Sequence, residues 1–393
     1  RGYSDGYAAG YNLTSCSDNI AIGANALYTE TTGVGIIAIG KGAMQNSTAS
    51  YATAIGVSAL ASLTSGNHNI AIGRNTGAAL TSGAGNTLLG DYAGDATTTA
   101  GSNTAVGYSA LTDNTTGAQN TAVGYEALKS CTTSSDNTAV GFRSLYNQTG
   151  AYQRATAVGS ECFYTSANLS NSAGLGYQAG YSATTGDELT MIGYQAGYNI
   201  TTTSNHTMVG YYAGVNATSG SNNTCLGANA GNSNLTTGSN NTCLGYQAQP
   251  GSGGDSNQIV LGNSSIEVIR CQVQTISSLS DERDKTDIVD LPIGLNFVNK
   301  LRPVKFKWDI RDVDSDNPHQ GKVRGGFIAQ ELKAAQEGDD ATFMDLTLEN
   351  NPDKMEAKQG NLIPVLVQAI KELSAKNDAL AAEVASLKTQ INN

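Results

Sequence analysis

Charge is scarce in this chain: only 14% of its 393 residues are Asp, Glu, Lys or Arg. Basic side chains are the scarcer sign, 22 against 33 acidic. Sequence-independent binding to nucleic-acid phosphates needs a basic surface, so that class of partner is excluded. An acidic exterior favours solubility. Long apolar runs are also missing. None approaches the roughly 18–20 residues needed to cross a bilayer, and no membrane insertion is expected. With no secretory signal and no initiator methionine, Arg1 is expected to begin a piece of something longer. The six cysteines, Cys16, Cys131, Cys162, Cys225, Cys243 and Cys271, show neither C-x-x-C spacing nor a compact disulfide pattern, and read as small apolar fillers. No cofactor or metal is expected.

What the chain does have is glycine, 46 in all, and much of it at a fixed phase. The segment Asn120-Thr121-Ala122-Val123-Gly124-Tyr125-Glu126-Ala127-Leu128 recurs in near-copies up to about position 265. Its marker glycine returns as Gly6, Gly23, Gly40, Gly56, Gly73 and so on to Gly245 and Gly262, with gaps of 17 residues except for one of 16 and two of 18. Such phasing separates the chain from a disordered Gly/Ser linker and marks a solenoid of stacked coils.

Aligned on the marker glycine, the repeats give uniform columns. One residue before it stands an unbroken aliphatic column, Ile22 through Val106, Val123 and Val140 to Leu261. Two before it stand small residues such as Ala105, Ala122 and Ala139. Neighbouring strand residues face opposite sides, so the aliphatic column is expected to fill the coil and the alanine column to meet a close neighbour. Four before the glycine, Asn69, Asn86, Asn103, Asn120 and Asn137 could hydrogen-bond from coil to coil. A second small column three past the glycine suggests a second short strand. Thr, Ser, Asn and Gly complete each period as turns. The expectation is a parallel β-coil rising about 4.8 Å per turn, a rod on the order of 70 Å long, in which so slender a coil associates laterally in threes.

Asn69-Ile70-Ala71-Ile72-Gly73 and Asn103-Thr104-Ala105-Val106-Gly107 resemble the head repeats of trimeric autotransporter adhesins, with their N-[ST]-[AV]-[IV]-G-x-x-[AS] motif. That resemblance implies a trimeric parallel β-roll, although the family's repeats are typically shorter. Related repeats occur in fibres of tailed bacteriophages. An aromatic column, Tyr108, Tyr125, Phe142, Tyr177, Tyr194, Tyr211 and Tyr246, follows the glycine. It reads as a ladder stacking on itself, with an exposed sugar-binding strip as the alternative.

Past Ile266 the period stops. From Ser280 onward 35 of 114 residues are charged, against 20 of the preceding 279, which places a domain boundary there. The division read is a shaft over 1–265, a junction over 266–279, a small α+β domain over 280–360 and a C-terminal coiled-coil helix over 361–393. Strand-type alternation falls at 304–308 and a helix begins near 327. Ile370, Asn377, Val384 and Ile391 at a, with Leu366, Leu373, Leu380 and Leu387 at d, make a heptad seam. The a/d residues lean towards two strands; the rod calls for three and is taken to set the number.

The segments Ser280-Asp281-Glu282-Arg283-Asp284-Lys285, Leu301-Arg302-Pro303-Val304-Lys305-Phe306, Gly326-Phe327-Ile328-Ala329-Gln330-Glu331 and Ile363-Pro364-Val365-Leu366-Val367-Gln368-Ala369-Ile370-Lys371-Glu372-Leu373 together closely resemble, over essentially all of 280–375, the C-terminal intramolecular chaperone of phage endosialidases and other tail spikes and fibres. The resemblance implies a domain that trimerises, templates the stalk before it and then cuts itself off. Ser280 is implied as nucleophile, Lys285 as general base and Leu279-Ser280 as the scissile bond. A lysine serves as base only if desolvation or nearby positive charge favours the free amine.

The chain thus reads as a mostly β, parallel β-solenoid trimeric shaft followed by a small α+β chaperone: the distal part of a phage tail fibre or spike. Its only enzymatic activity would be a single self-cleavage. Its expected partners are two further copies, a host cell-surface glycan or protein receptor, and the rest of the virion tail before Arg1. It would act outside the cell on the virion, with the chaperone released in the host cytoplasm during assembly. The alternatives are a bacterial trimeric adhesin head and a polysaccharide-degrading tail spike. The second is weakened because the shaft acids Asp91, Asp95, Asp187 and Glu188 show no paired-carboxylate pattern.

Overall fold

A computed structural model of the chain describes residues 2–15, 17–150, 154–270, 272, 280–309, 319–349 and 355–391. The chain divides into two compact units, Arg1–Asn263 and Ser264–Asn393.

The first unit is a parallel β-solenoid of about 15 turns. Among the described residues, sixteen three-residue strands pair in one parallel sheet, from Tyr3–Asp5 to Ile259–Leu261. Each marker glycine ends its strand. At Gly124 φ is +140°, a conformation open to glycine, and an added Cβ would lie 2.3 Å from the Gly141 carbonyl oxygen. Like positions stack without slippage, with Thr104, Ala105 and Val106 opposite Thr121, Ala122 and Val123, and Val123 opposite Val140.

The asparagine column does what its position suggests. The Asn120 backbone N–H donates to Asn103 Oδ1 at 2.9 Å, while Asn120 Nδ2 donates to the Ser134 carbonyl of the next coil at 2.8 Å. Each buried amide thereby satisfies two backbone groups where a turn leaves them without strand partners.

Two readings of the columns are corrected. The alanine column faces inward: Ala105, Ala122 and Ala139 are fully buried, whereas the aliphatic column looks out of the coil, with Leu175 and Leu226 each 50% exposed. Alternation allows only one of two adjacent positions inside, and the narrow interior selects the smaller. Among the described residues a second strand is not a regular part of the coil either. Residues after the glycine form turns with alternating left-handed backbone, as at Glu126 (φ 52°) and Leu128 (φ 50°). Their amides still bond neighbouring coils: Glu126 N–H to the Tyr108 carbonyl at 2.9 Å, and Leu128 N–H to that of Ser144 at 3.0 Å. A two-stranded sheet beside the main one does occur at Asn168–Ser170 and Thr185–Asp187.

The core is filled by complementary volumes. Where the position four past the glycine is large, as at Leu111, Leu128, Leu145 and Phe163, the buried strand residue is Ala105, Ala122, Ala139 or Ala157. Where it is Gly94, Gly197, Gly214 or Gly231, the strand supplies Leu88, Met191, Met208 or Cys225 instead; Gly77 departs from this, its strand residue being Ala71 and its space taken by Leu60 and Leu88 of the adjoining coils. At Gly197 (φ 62°) an added Cβ would sit 2.4 Å from Met191 Sδ. Glycine there relieves the left-handed backbone and the opposite side chain takes the space. Cys131, Cys162, Cys225 and Cys243 are free and buried, as apolar fillers should be; burial pushes the Cys162 thiol up to about 12. Cys16 and Cys271 lie outside the described residues.

In the second unit, helix α1 (Leu295–Val298) begins under a carboxylate: Glu372 Oε2 accepts from the Leu295 N–H at 2.9 Å. An antiparallel pair, Val304–Lys307 with Val323–Gly326, precedes α2 (Ala329–Gly338) and the 29-residue α3 (Ile363–Ile391). Phe297, Leu332, Met344, Leu346, Leu362 and Val365 form the core. The seam positions Ile370, Leu373, Leu380, Val384 and Leu387 of α3 are all exposed on the single chain. Among the described residues no helix is long and apolar enough to cross a membrane.

Candidate functional site

Asp281 begins a single 3-10 turn, Glu282–Asp284, by accepting the Arg283 N–H at 2.9 Å. The same carboxylate takes the Arg283 guanidinium at 3.0 Å from Nε and 2.6 Å from Nη2. The guanidinium holds the Asp281 carboxyl below the usual range, and the carboxylate raises Arg283 in turn. The turn closes with the Lys285 N–H on the Glu282 carbonyl, 3.1 Å. That reversal brings residues five apart together: Lys285 Nζ donates to Ser280 Oγ at 2.6 Å, and lies 3.3 Å from the Ser280 carbonyl oxygen.

The two sequence-predicted catalytic residues therefore meet within one chain. Both are exposed, and neither lines this unit's open cavity of about 470 Å³, which is walled by residues including Phe306, Trp308, Phe327 and Met355. Leu279, the predicted residue on the other side of the scissile bond, lies outside the described residues. The Asp281–Arg283 clamp was not singled out from the sequence, although both residues stand within the S-D-x-R-x-K motif.

Residues 280–341 match the family model described as chaperone of endosialidase. The C-terminal unit thus carries an endosialidase-type chaperone domain, and the match opens on Ser280 itself. No curated protein and no solved structure matches the chain.

On the shaft, the aromatic column stacks on itself. Ring centroids are 5.4 Å apart for Tyr108–Tyr125, 5.5 Å for Tyr125–Phe142 and 5.2 Å for Tyr177–Tyr194, with planes 12–21° apart. The ring faces are turned to one another, which leaves edges for solvent. A second ladder, Tyr146, Tyr164, Tyr181 and Tyr198, stacks at 5.0–5.2 Å. The sequence reading missed it, although these tyrosines recur five past the marker glycine. Between the ladders, Glu126 bonds Lys129 and Arg143, each at 2.7 Å. Burial pushes the Glu126 carboxyl up, but these two cations outweigh it and hold it below the usual range.

The four shaft acids do not converge. Asp91 pairs with Arg74 at 3.5 Å, and burial pushes the Asp95 carboxyl up. Asp187 and Glu188 lie several coils further along the stack.

Proposed function

We propose that the chain is the distal part of a trimeric phage tail fibre or spike, whose chaperone domain aligns three shafts and then releases itself by cutting before Ser280. The observation that carries this is the 2.6 Å contact between Lys285 Nζ and Ser280 Oγ at the first residue of the chaperone match, immediately downstream of a solenoid.

The chemistry balances with the residues present. Once Lys285 is a neutral amine it takes the Ser280 hydroxyl proton as Oγ adds to the Leu279 carbonyl carbon. The C–N bond of Leu279-Ser280 breaks as the proton passes to the departing Ser280 amine, leaving Leu279 as an ester on Ser280 Oγ. Water hydrolyses the ester to a new C-terminal carboxylate and the free hydroxyl. Closure of three chaperone domains around the exposed dyad would remove water from Lys285 and favour its neutral form. Cleavage then reports a finished stalk.

Such a stalk needs templating. Coils this alike can pair one whole period out of step at little cost, and parallel non-local pairing is slow. The exposed heptad seam of α3 fits a device that starts the chains in step. After release the shaft persists by kinetic stability. Its outer surface would meet a glycan or protein of the host cell.

Expression of the full chain followed by intact-mass measurement tests the reading. Two products divided at Leu279-Ser280 are expected from the wild type and one full-length product from Lys285→Ala. Normal processing of Lys285→Ala would refute it.

A further inference from the structure

From its second strand onward the outward face of the sheet is uniform; the first strand, Tyr3–Asp5, places Asp5 there instead. The first and third residues of each strand, from Ile20–Ile22 to Ile259–Leu261, are Ile, Thr, Val or Leu with a single Ala173, and none is charged. Charged side chains such as Arg74, Asp91, Glu126 and Lys129 stand in other columns. The aliphatic positions of this face are accessible, with Ile72 at 40% and Leu226 at 50%.

Fifteen strands about 4.8 Å apart and three residues wide, widened by the aromatic column, make a strip of roughly 900 Å². A stable interface needs about 800 Å² from each partner. The strip is therefore of interface size. Its period narrows the choice of partner, because only a surface with the same rise per rung keeps every contact in phase along some 70 Å. Another copy of this chain, parallel and in register, has that rise.

We propose that this Thr/aliphatic face, and not the alanine column buried inside the coil, is the surface through which three copies of the shaft pack about a common axis. This rests on the trimer reading above and specifies which face lies at its centre. Each Val123 would lie level with the Val123 of the other two copies, the thin β-branched columns nearest the axis and the aromatic column at the margin. Acidic and basic columns would remain in water, which also explains why charge is confined to them.

The test uses the full chain carrying a photo-reactive phenylalanine derivative in place of either Ile70, on this face, or Ser82, exposed on a turn of the neighbouring stretch. Light scattering on the eluted protein gives the mass, circular dichroism confirms folding, and a denaturing gel after irradiation gives the cross-links. The expected result is a three-chain mass, with two- and three-chain bands from Ile70→photo-Phe at least about tenfold stronger than from Ser82→photo-Phe. A three-chain mass with cross-links from Ser82 and none from Ile70 overturns the assigned face while leaving the trimer standing. A one-chain mass for both folded variants overturns the trimer and the face with it.

Discussion

Lys285 Nζ and Ser280 Oγ are 2.6 Å apart, held there by one helical turn whose own backbone closes at 3.1–3.2 Å. An amine at that distance accepts the hydroxyl proton only in its neutral form, so the role proposed for Lys285 requires a side chain that can lose its charge. Guanidinium cannot. Lys285→Arg is therefore expected to leave the chain uncut while preserving the positive charge, and Ser280→Ala to do the same. A denaturing gel after expression reads both, and cleavage of Lys285→Arg at the wild-type rate would remove lysine from its role.

Asp281 acts through the turn. Its carboxylate caps the Arg283 amide and grips the Arg283 guanidinium. Asp281→Ala is expected to slow self-cleavage roughly five- to tenfold, in keeping with the loss of an N-cap, whereas Asp281→Asn, which still caps, should recover most of the rate. A time course of product on a gel separates the two. Equal rates for the three proteins would show that the cap does not position the dyad.

The exchange of volume between the strand and turn columns can be tested in one coil. Ala122 and Leu128 are both fully buried. Ala122→Met should overpack, and Leu128→Gly should leave a cavity at a cost of about 2–5 kcal/mol. Together they recreate the Met191/Gly197 arrangement, so the double variant should be more stable than the sum of the singles by at least about 1 kcal/mol. Thermal unfolding of the four proteins gives the coupling, and simple additivity would contradict the packing scheme.

His206 takes an asparagine's place in the buried ladder. Its Nε2 meets Thr203 Oγ1 at 2.8 Å, and its Nδ1 accepts the Asn223 N–H at 3.4 Å. Burial pushes its pKa below the ordinary value of 6.5. The unfolded chain then binds a proton more readily than the folded one, so the stability contribution is full above about pH 6.5 and declines as pH falls from there towards the folded value. Going from pH 8 to pH 5 should therefore lower the melting temperature. His206→Asn restores the ladder residue and should remove that part of the pH dependence.

Phase was legible in the sequence because glycine at φ near +140° tolerates no substitute. That constraint alone placed the strands, the asparagine ladder and the stacking of Val106 on Val123. Direction was not legible. Hydrophobicity nominated Val123 for the interior, but Ala122 is inside because space across from Leu128 admits only a methyl group, a fact about diameter that no single column states. The lack of a regular second strand has a related cause: Glu126 and Leu128 are ordinary residues held left-handed by neighbouring coils, and nothing in their identity reveals it. At the candidate site, Ser280 and Lys285 are nominated by the resemblance of their segment to the chaperone family and not by their spacing alone, while the Asp281–Arg283 clamp needed coordinates to show what the intervening residues do.

The pairing of large with small across the coil also governs how such a shaft can change its reach. Excising or duplicating 17 residues alters length by one step of about 4.8 Å, but the new neighbours must still complement one another in bulk. Gly174 and Gly180 leave room that the Phe163 ring fills, its atoms within 2.7 Å and 2.2 Å of where their Cβ atoms would stand; a coil copied from beside Leu128 and inserted between the Phe163 coil and theirs would strand that ring against occupied space. Fibres of this kind should therefore lengthen readily within runs of like coils and resist insertion at such seams.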